Sequence, residues 1–99
     1  MKVVVSAPAR QALMSHWRFM LEAYDEAYAQ RTLDLIHAGI RFIADSPGAG
    51  QYETALDHMG QGHRRWVVGH YKLIYLVLED QLVVTDFFDT RQDPKKMKG

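Results

Sequence analysis

HRRWVVGHYKLIYLVLEDQLVVTDFFDTRQDP, residues 63–94, decides the fold. Two β-rich runs within it, Tyr71 to Leu78 and Leu82 to Phe88, flank the polar break Glu79-Asp80-Gln81, and this spacing predicts an antiparallel hairpin. A third run, Arg64 to Val68, lies just upstream across Gly69-His70 and turns the unit into a three-stranded meander. Side chains alternate between faces along a strand, so His63 and Arg65 fall on one face and Arg64 on the other. Lys72, set in an otherwise apolar strand, belongs to the less buried side. Tyr71, Leu73, Tyr75 and Val77 share the opposite face and predict core packing. Arg91 follows the last strand on a loop, where binding residues tend to collect. The cations of the meander are therefore expected to gather at one exposed patch.

Upstream, Lys2 to Val5 is a short β-branched run stopped by Ser6-Ala7-Pro8. Ser6 is placed to cap a helix whose first turn tolerates Pro8. Ala9, Leu13, Trp17, Met20 and Tyr24 then recur at helical spacing, predicting a helix from about Pro8 to Tyr24. Asp25 can cap a second helix, with Ala29, Leu33, Ile36, Ile40 and Ile43 as its apolar stripe, which ends at Asp45-Ser46-Pro47-Gly48. Trp17, Met14, Met20 and Tyr24 are read as core and hairpin seam, and Trp66 as packed on a helix. Residues 48–62 carry further glycines and no clear period, so they read as a loop with a brief turn near Thr54 to His58. The order is β-α-α-β-β-β. It predicts one α+β domain over residues 1–99, a helix hairpin packed on one face of a small, mainly antiparallel sheet whose other face is partly open.

Composition narrows the function. The chain has 99 residues, 47% hydrophobic and 24% charged, which suits a single small globular core and not a disordered segment. It has no cysteine, which excludes disulfides, a thiolate zinc site and a thiol nucleophile. The amino-terminal residues lack the apolar core of a secretory leader, and no window approaches a membrane span, so a cytoplasmic protein with no membrane association is expected. Formal net charge is zero, with five Lys/Arg against seven Asp/Glu over residues 1–60 and seven against five over residues 61–99. That imbalance is small for a protein whose main task is gripping nucleic acid. The five histidines form no HxH or HxxxH pair, the serines no nucleophile elbow and the glycines no phosphate loop. No metal and no cofactor are expected.

Ser6, Ala9 and Leu13 opening the first helix, Pro47 to Gly50 after the second, Arg64-Arg65 leading a strand, Gly69-His70-Tyr71-Lys72-Leu73-Ile74-Tyr75, and the finish Phe88-Asp89-Thr90-Arg91-Gln92-Asp93-Pro94 together resemble the RelE/ParE superfamily of toxins from bacterial type II toxin-antitoxin modules. The likeness runs over nearly the whole chain and is most specific in its last third. It implies the β-α-α-β-β-β fold and a cognate antitoxin that wraps the toxin and silences it. It also implies one of two unlike activities: RelE-like members cut mRNA on the ribosome, whereas ParE-like members poison DNA gyrase.

RNA cleavage of the RelE kind needs a proton acceptor, a proton donor and cations for the phosphate in flight. The positions that match are His63, Arg65, Lys72 and Arg91 or Gln92, with His58 and His70 as further sources of a base. Two departures favour the ParE-like branch. The residues after Asp93, Pro94-Lys95-Lys96-Met97-Lys98-Gly99, hold neither an aromatic nor a His, and the chain is not strongly basic. The sequence therefore reads first as a binding toxin directed at gyrase, with Arg64, Arg65, Lys72 and Arg91 as target-binding candidates, and is not expected to be an enzyme. The alternatives are a RelE-like endoribonuclease acting on ribosome-bound mRNA, and an inactive toxin that survives as an interaction module. Bland readings stand beside these: Arg64 or Arg65 paired across the sheet with Asp86 or Asp89, Arg91 bonded locally to Asp89 or Asp93, and Lys95, Lys96 and Lys98 as a solvated end.

Overall fold

Ser6 and Asp25 set the starts of the two helices as their chemistry requires. In the computed structural model, which describes residues 1–99, the Ser6 hydroxyl accepts the Ala9 N–H at 3.2 Å and the Asp25 carboxylate accepts the Tyr28 N–H at 2.8 Å. Strand β1 spans Lys2–Val5, helix α1 Ala7–Ala23 and helix α2 Glu26–Asp45. Strands β3, β4 and β5 are Arg64–Val68, Tyr71–Leu78 and Gln81–Asp89, the expected meander. Glu79, in the two-residue link of the β4/β5 hairpin, has φ 48°, the left-handed region that tight hairpin turns demand and that glycine usually fills.

Residues 48–62 hold more structure than expected. Gln51–Tyr52 forms a short strand, β2, antiparallel to β3, and Thr54–Met59 forms a 3-10 helix where only a brief turn is predicted. The sheet is five-stranded in the order β1-β5-β4-β3-β2, with β1 parallel to β5 and every other pairing antiparallel. Glu53 lacks alternating apolar neighbours, so nothing in the local pattern announces β2 before it. Pairing with β3 supplies the order instead.

Both helices cover one face of the sheet, as expected. Ala9, Met20, Ala29, Ile36 and Ile43 close on Tyr71, Leu73, Tyr75, Leu82, Val84 and Phe87, all buried. Leu82 and Val84 keep strict alternation, but Phe87 also faces the helices, which needs one extra residue. A β-bulge supplies it: Tyr75 lies opposite Val84 and Ile74 opposite Asp86, leaving Thr85 over. Met14 and Tyr24 correct the helix reading, being 53% and 51% exposed, and Tyr24 stacks on Tyr28 outside the core.

The opposite face is less open than expected. Leu56 of the 3-10 helix, Ile74, Phe88 and Met97 form a second buried cluster there. Residues Pro94–Lys96 make a last 3-10 turn, and the chain then crosses this face as far as Gly99. The lysines at 95, 96 and 98 are exposed as a solvated end would be, yet the main chain that carries them is docked.

Candidate functional site

Alternation along β3 and β4 decides which candidates meet. Trp66 and Val68 pack toward the helices, so Arg65 and Val67 point the other way, and on β4 the same logic sends Lys72 and Ile74 to the helix-free face. Arg65 lies opposite Ile74, and Lys72 opposite Val67. Between the two cations sits Glu53, only 3% exposed, at the end of β2. Its carboxylate accepts the Lys72 ammonium at 2.8 Å and the Ala55 N–H at 3.1 Å, and lies 3.7 Å from the Arg65 guanidinium. Burial by itself would raise the Glu53 pKa. The Lys72 and Ala55 hydrogen bonds and the charges of Lys72 and Arg65 outweigh it and hold the carboxyl below its usual range. Arg65 is tied further to the Tyr52 carbonyl at 2.6 Å and the Gln51 side-chain carbonyl at 2.9 Å.

His63 precedes β3 on this same face, as alternation predicts, and its carbonyl accepts the Glu53 N–H at 2.8 Å. The imidazole is 2% exposed and neither ring nitrogen has a hydrogen-bond partner. Burial, with the nearby His58 charge adding to it, pushes its pKa down, which favours a neutral ring. His58 and His70 are both exposed, His70 at the β3/β4 turn.

The remaining arginines lie elsewhere, so the expected single patch is corrected to three separate places. Arg64 points away from Arg65, donates to the Gly50 carbonyl at 2.7 Å and the Tyr52 hydroxyl at 3.0 Å, and lies 4.2 Å above the Tyr52 ring. Arg91 grips Asp89 with two parallel bonds of 2.9 Å and sits over Phe19 of α1 at 5.9 Å, on the helix side. The Asp89 fork pushes the Arg91 pKa up against the opposing effect of burial. Burial would raise the pKa of Asp89, but the Arg91 bonds outweigh it and bring it down. Gln92 lines a shallow cleft beneath α1 with His16, Asp86 and Lys98. Of the bland pairings weighed for the arginines, the local Arg91–Asp89 bond is the one that forms. Arg64 and Arg65 touch neither Asp86 nor Asp89; Asp86 instead accepts the Lys98 N–H at 2.9 Å, its pKa raised by burial.

Glu53 is the residue of this cluster that sequence reasoning missed. Its signal was an acid in a glycine-rich segment with no other task, facing a meander that carries two cations on one face. No group of three or more His, Asp or Glu is placed to hold a metal ion.

A different surface runs along the helices. Leu13, Met14, Trp17 and Leu33 line an apolar cleft between α1 and α2, edged by Arg18. Leu35 and Phe42 of α2 are 60% and 47% exposed, and Phe42 stacks on Trp66 with ring centroids 4.8 Å apart. No helix is long and apolar enough to cross a membrane.

A comparison with curated protein sequences finds no match. Among solved structures, the chain resembles one described as "Chromosomal ParDE TA system from P. aeruginosa", with a TM-score of 0.75 over 90% of this chain and 95% of that one, at 12% identity. That likeness fixes the fold and nothing finer. The family described as "ParE toxin of type II toxin-antitoxin system, parDE" matches residues 3–94. This match covers β1, the helix hairpin and the whole meander with its Arg91 finish, and the chain therefore belongs to the ParE toxin family.

Proposed function

We propose that the protein is a cytoplasmic toxin that arrests growth by binding DNA gyrase and is neutralised by a cognate antitoxin docked on the helix hairpin. The observation that carries a binding mode over a cleaving one is Glu53. An RNA-cleaving face needs uncommitted cations around the scissile phosphate and a titratable base within reach of the 2′-hydroxyl. Here Arg65 and Lys72 are both held by one buried carboxylate, and the His63 ring is enclosed. Arg91 stands on the other side of the sheet, held by Asp89. Its side chain is still 42% exposed, beside the exposed Phe19 ring, so a rigid, fully charged fork with an apolar neighbour is offered to a protein surface.

The test pairs two assays on purified toxin. Gyrase supercoiling is expected to fall, with trapped gyrase–DNA complexes, and Arg91→Ala is expected to weaken this about tenfold or more, as loss of an interface arginine does. Ribosome-bound mRNA is expected to stay intact. Cleavage of that mRNA, with gyrase untouched, would replace this reading by the endoribonuclease one. Normal growth on expression without antitoxin would leave only an inactive interaction module.

A further inference from the structure

Arg91 owes its direction to a loop whose residues are each fastened. Asp89 Oδ1 accepts the Arg91 N–H at 2.9 Å, the Gln92 N–H donates to the Asp89 carbonyl at 3.0 Å, and the Thr90 N–H and hydroxyl both donate to the His70 carbonyl at 2.8 Å. The base beneath is fixed too. Asp89 lies opposite the buried Tyr71 in the β4/β5 register, and Tyr71 packs on the His16 ring with centroids 4.9 Å apart. His16 donates from Nε2 to the Phe87 carbonyl at 2.6 Å, which ties α1 to β5 two residues before Asp89.

A guanidinium carries five N–H groups in one plane. Asp89 takes the side-on pair, Nε to Oδ1 and Nη2 to Oδ2, so the end-on pair, the outer hydrogens of Nη1 and Nη2, points away from it. Phe19 flanks the guanidinium, and Tyr24, stacked on Tyr28, stands close enough to add to Asp89 in keeping it charged. An arginine acting as a point charge is weakened by a carboxylate that neutralises it. One that grips by geometry gains a fixed direction, its ordering complete before a partner arrives.

We infer that Asp89 is a positioning residue for target binding, holding Arg91 so that its end-on pair grips a carboxylate on the surface of the protein that the toxin binds. The inference rests on the reading of this chain as a binding toxin, not on which protein is bound. Two parallel N–H groups also match a phosphate, but phosphate binding draws on an excess of cations, whereas this chain is neutral overall and Asp89 neutralises Arg91 locally. The exposed Phe19 and Tyr24 rings beside the fork suit a protein partner.

Asp89→Asn separates the two roles by sign, because it removes a negative charge and loosens the fork at once. Positioning predicts that growth arrest and gyrase inhibition weaken, with about fivefold or more toxin needed, whereas a point charge freed of its neutralising partner acts more strongly on an acidic target. Arg91→Lys keeps the charge without the fork and is expected to lose about tenfold or more, as Arg91→Ala does. Asp89→Asn added to Arg91→Ala is expected to change nothing further, since Asp89 acts through Arg91. A further loss in that background marks a merely structural residue and overturns the inference, as does stronger action of Asp89→Asn or full action of Arg91→Lys. Thermal melts establish that each variant is folded, and should Asp89→Asn not fold, Arg91→Lys decides alone by the same outcome. Arg91-dependent binding to gyrase that occurs only with DNA present would assign the fork to a phosphate and overturn the carboxylate. If the wild type arrests growth without inhibiting gyrase, the gyrase reading falls and the same variants judge the inference by growth arrest; a wild type that arrests nothing overturns both.

Discussion

A carboxylate with almost no exposure has to be matched, and Glu53 is matched by Lys72, Arg65 and a backbone N–H. Glu53→Gln keeps the shape and removes the charge, leaving Lys72 and Arg65 beside a neutral amide. Since both cations are only about a quarter exposed, the loss at pH 7 is expected to be about 1–3 kcal/mol, between the cost of a broken surface pair and a broken buried one. The pH dependence has a definite sign. The folded pKa of Glu53 is lowered, so its contribution is fully present above the unfolded value of about 4.3 and is lost as pH falls through the folded one. Urea unfolding of the two proteins between pH 7 and pH 3 checks this: the gap is expected to be flat down to about pH 4.5 and to shrink below it. A gap that stays constant across that range would show that the Glu53 charge does not stabilise the fold.

At the scale of elements, the helices and the meander were legible because each carries its own period and its own stop signals. Ser6 and Asp25 cap where they stand in the sequence, and the Glu79-Asp80 link folds the hairpin. What was illegible depends on partners distant in the chain. Gln51 and Tyr52 become a strand only because Arg65 and Arg64 lie beside them, and the Thr85 bulge is visible only once Ile74 and Tyr75 are paired. Gly39 shows the same limit. Within α2 it looks like a weakness of about 1 kcal/mol against Ala. In the fold it is a point where the helix closely approaches the sheet: an added Cβ would meet Val68 at 3.0 Å, Leu73 at 3.2 Å and Trp66 at 3.3 Å. Gly39→Val therefore adds a whole isopropyl group to a filled contact and is expected to cost about 2–3 kcal/mol despite its better helix propensity. Thermal melts against wild type measure it, and an unchanged or raised Tm would mean that α2 and β3 separate more freely than this contact implies.

For the molecule as a whole, the face shared by His63, Arg65 and Lys72 followed from strand alternation, but the charge state of that face did not, because Glu53 enters from a segment without a pattern. The separation of Arg91 from the other cations was also hidden, since its Asp89 fork and the Phe19 contact depend on where α1 lies. With Arg65 and Lys72 engaged by Glu53, the hairpin carries exposed apolar surface: Leu35, 60% exposed, on the flank of α2 that faces Val68 and Tyr71, and Met14, 53% exposed, in a stripe with Leu13, Trp17 and Leu33 along the α1/α2 cleft. Such a stripe fits an amphipathic helix or strand laid into it by an antitoxin. Met14→Glu and Leu35→Glu change positions that solvent already reaches, so each is expected to leave folding stability within about 0.5 kcal/mol of wild type. A charge at the centre of a desolvated interface, in contrast, weakens binding by about 2 kcal/mol or more, roughly 30-fold in Kd. Calorimetric titration of toxin with the purified antitoxin measures that loss directly, and growth on co-expression reports it in cells. If both variants bound antitoxin as tightly as wild type, the hairpin would lie outside the neutralising interface, and the β3 edge near Trp66 and Val67 would be the next surface to mutate.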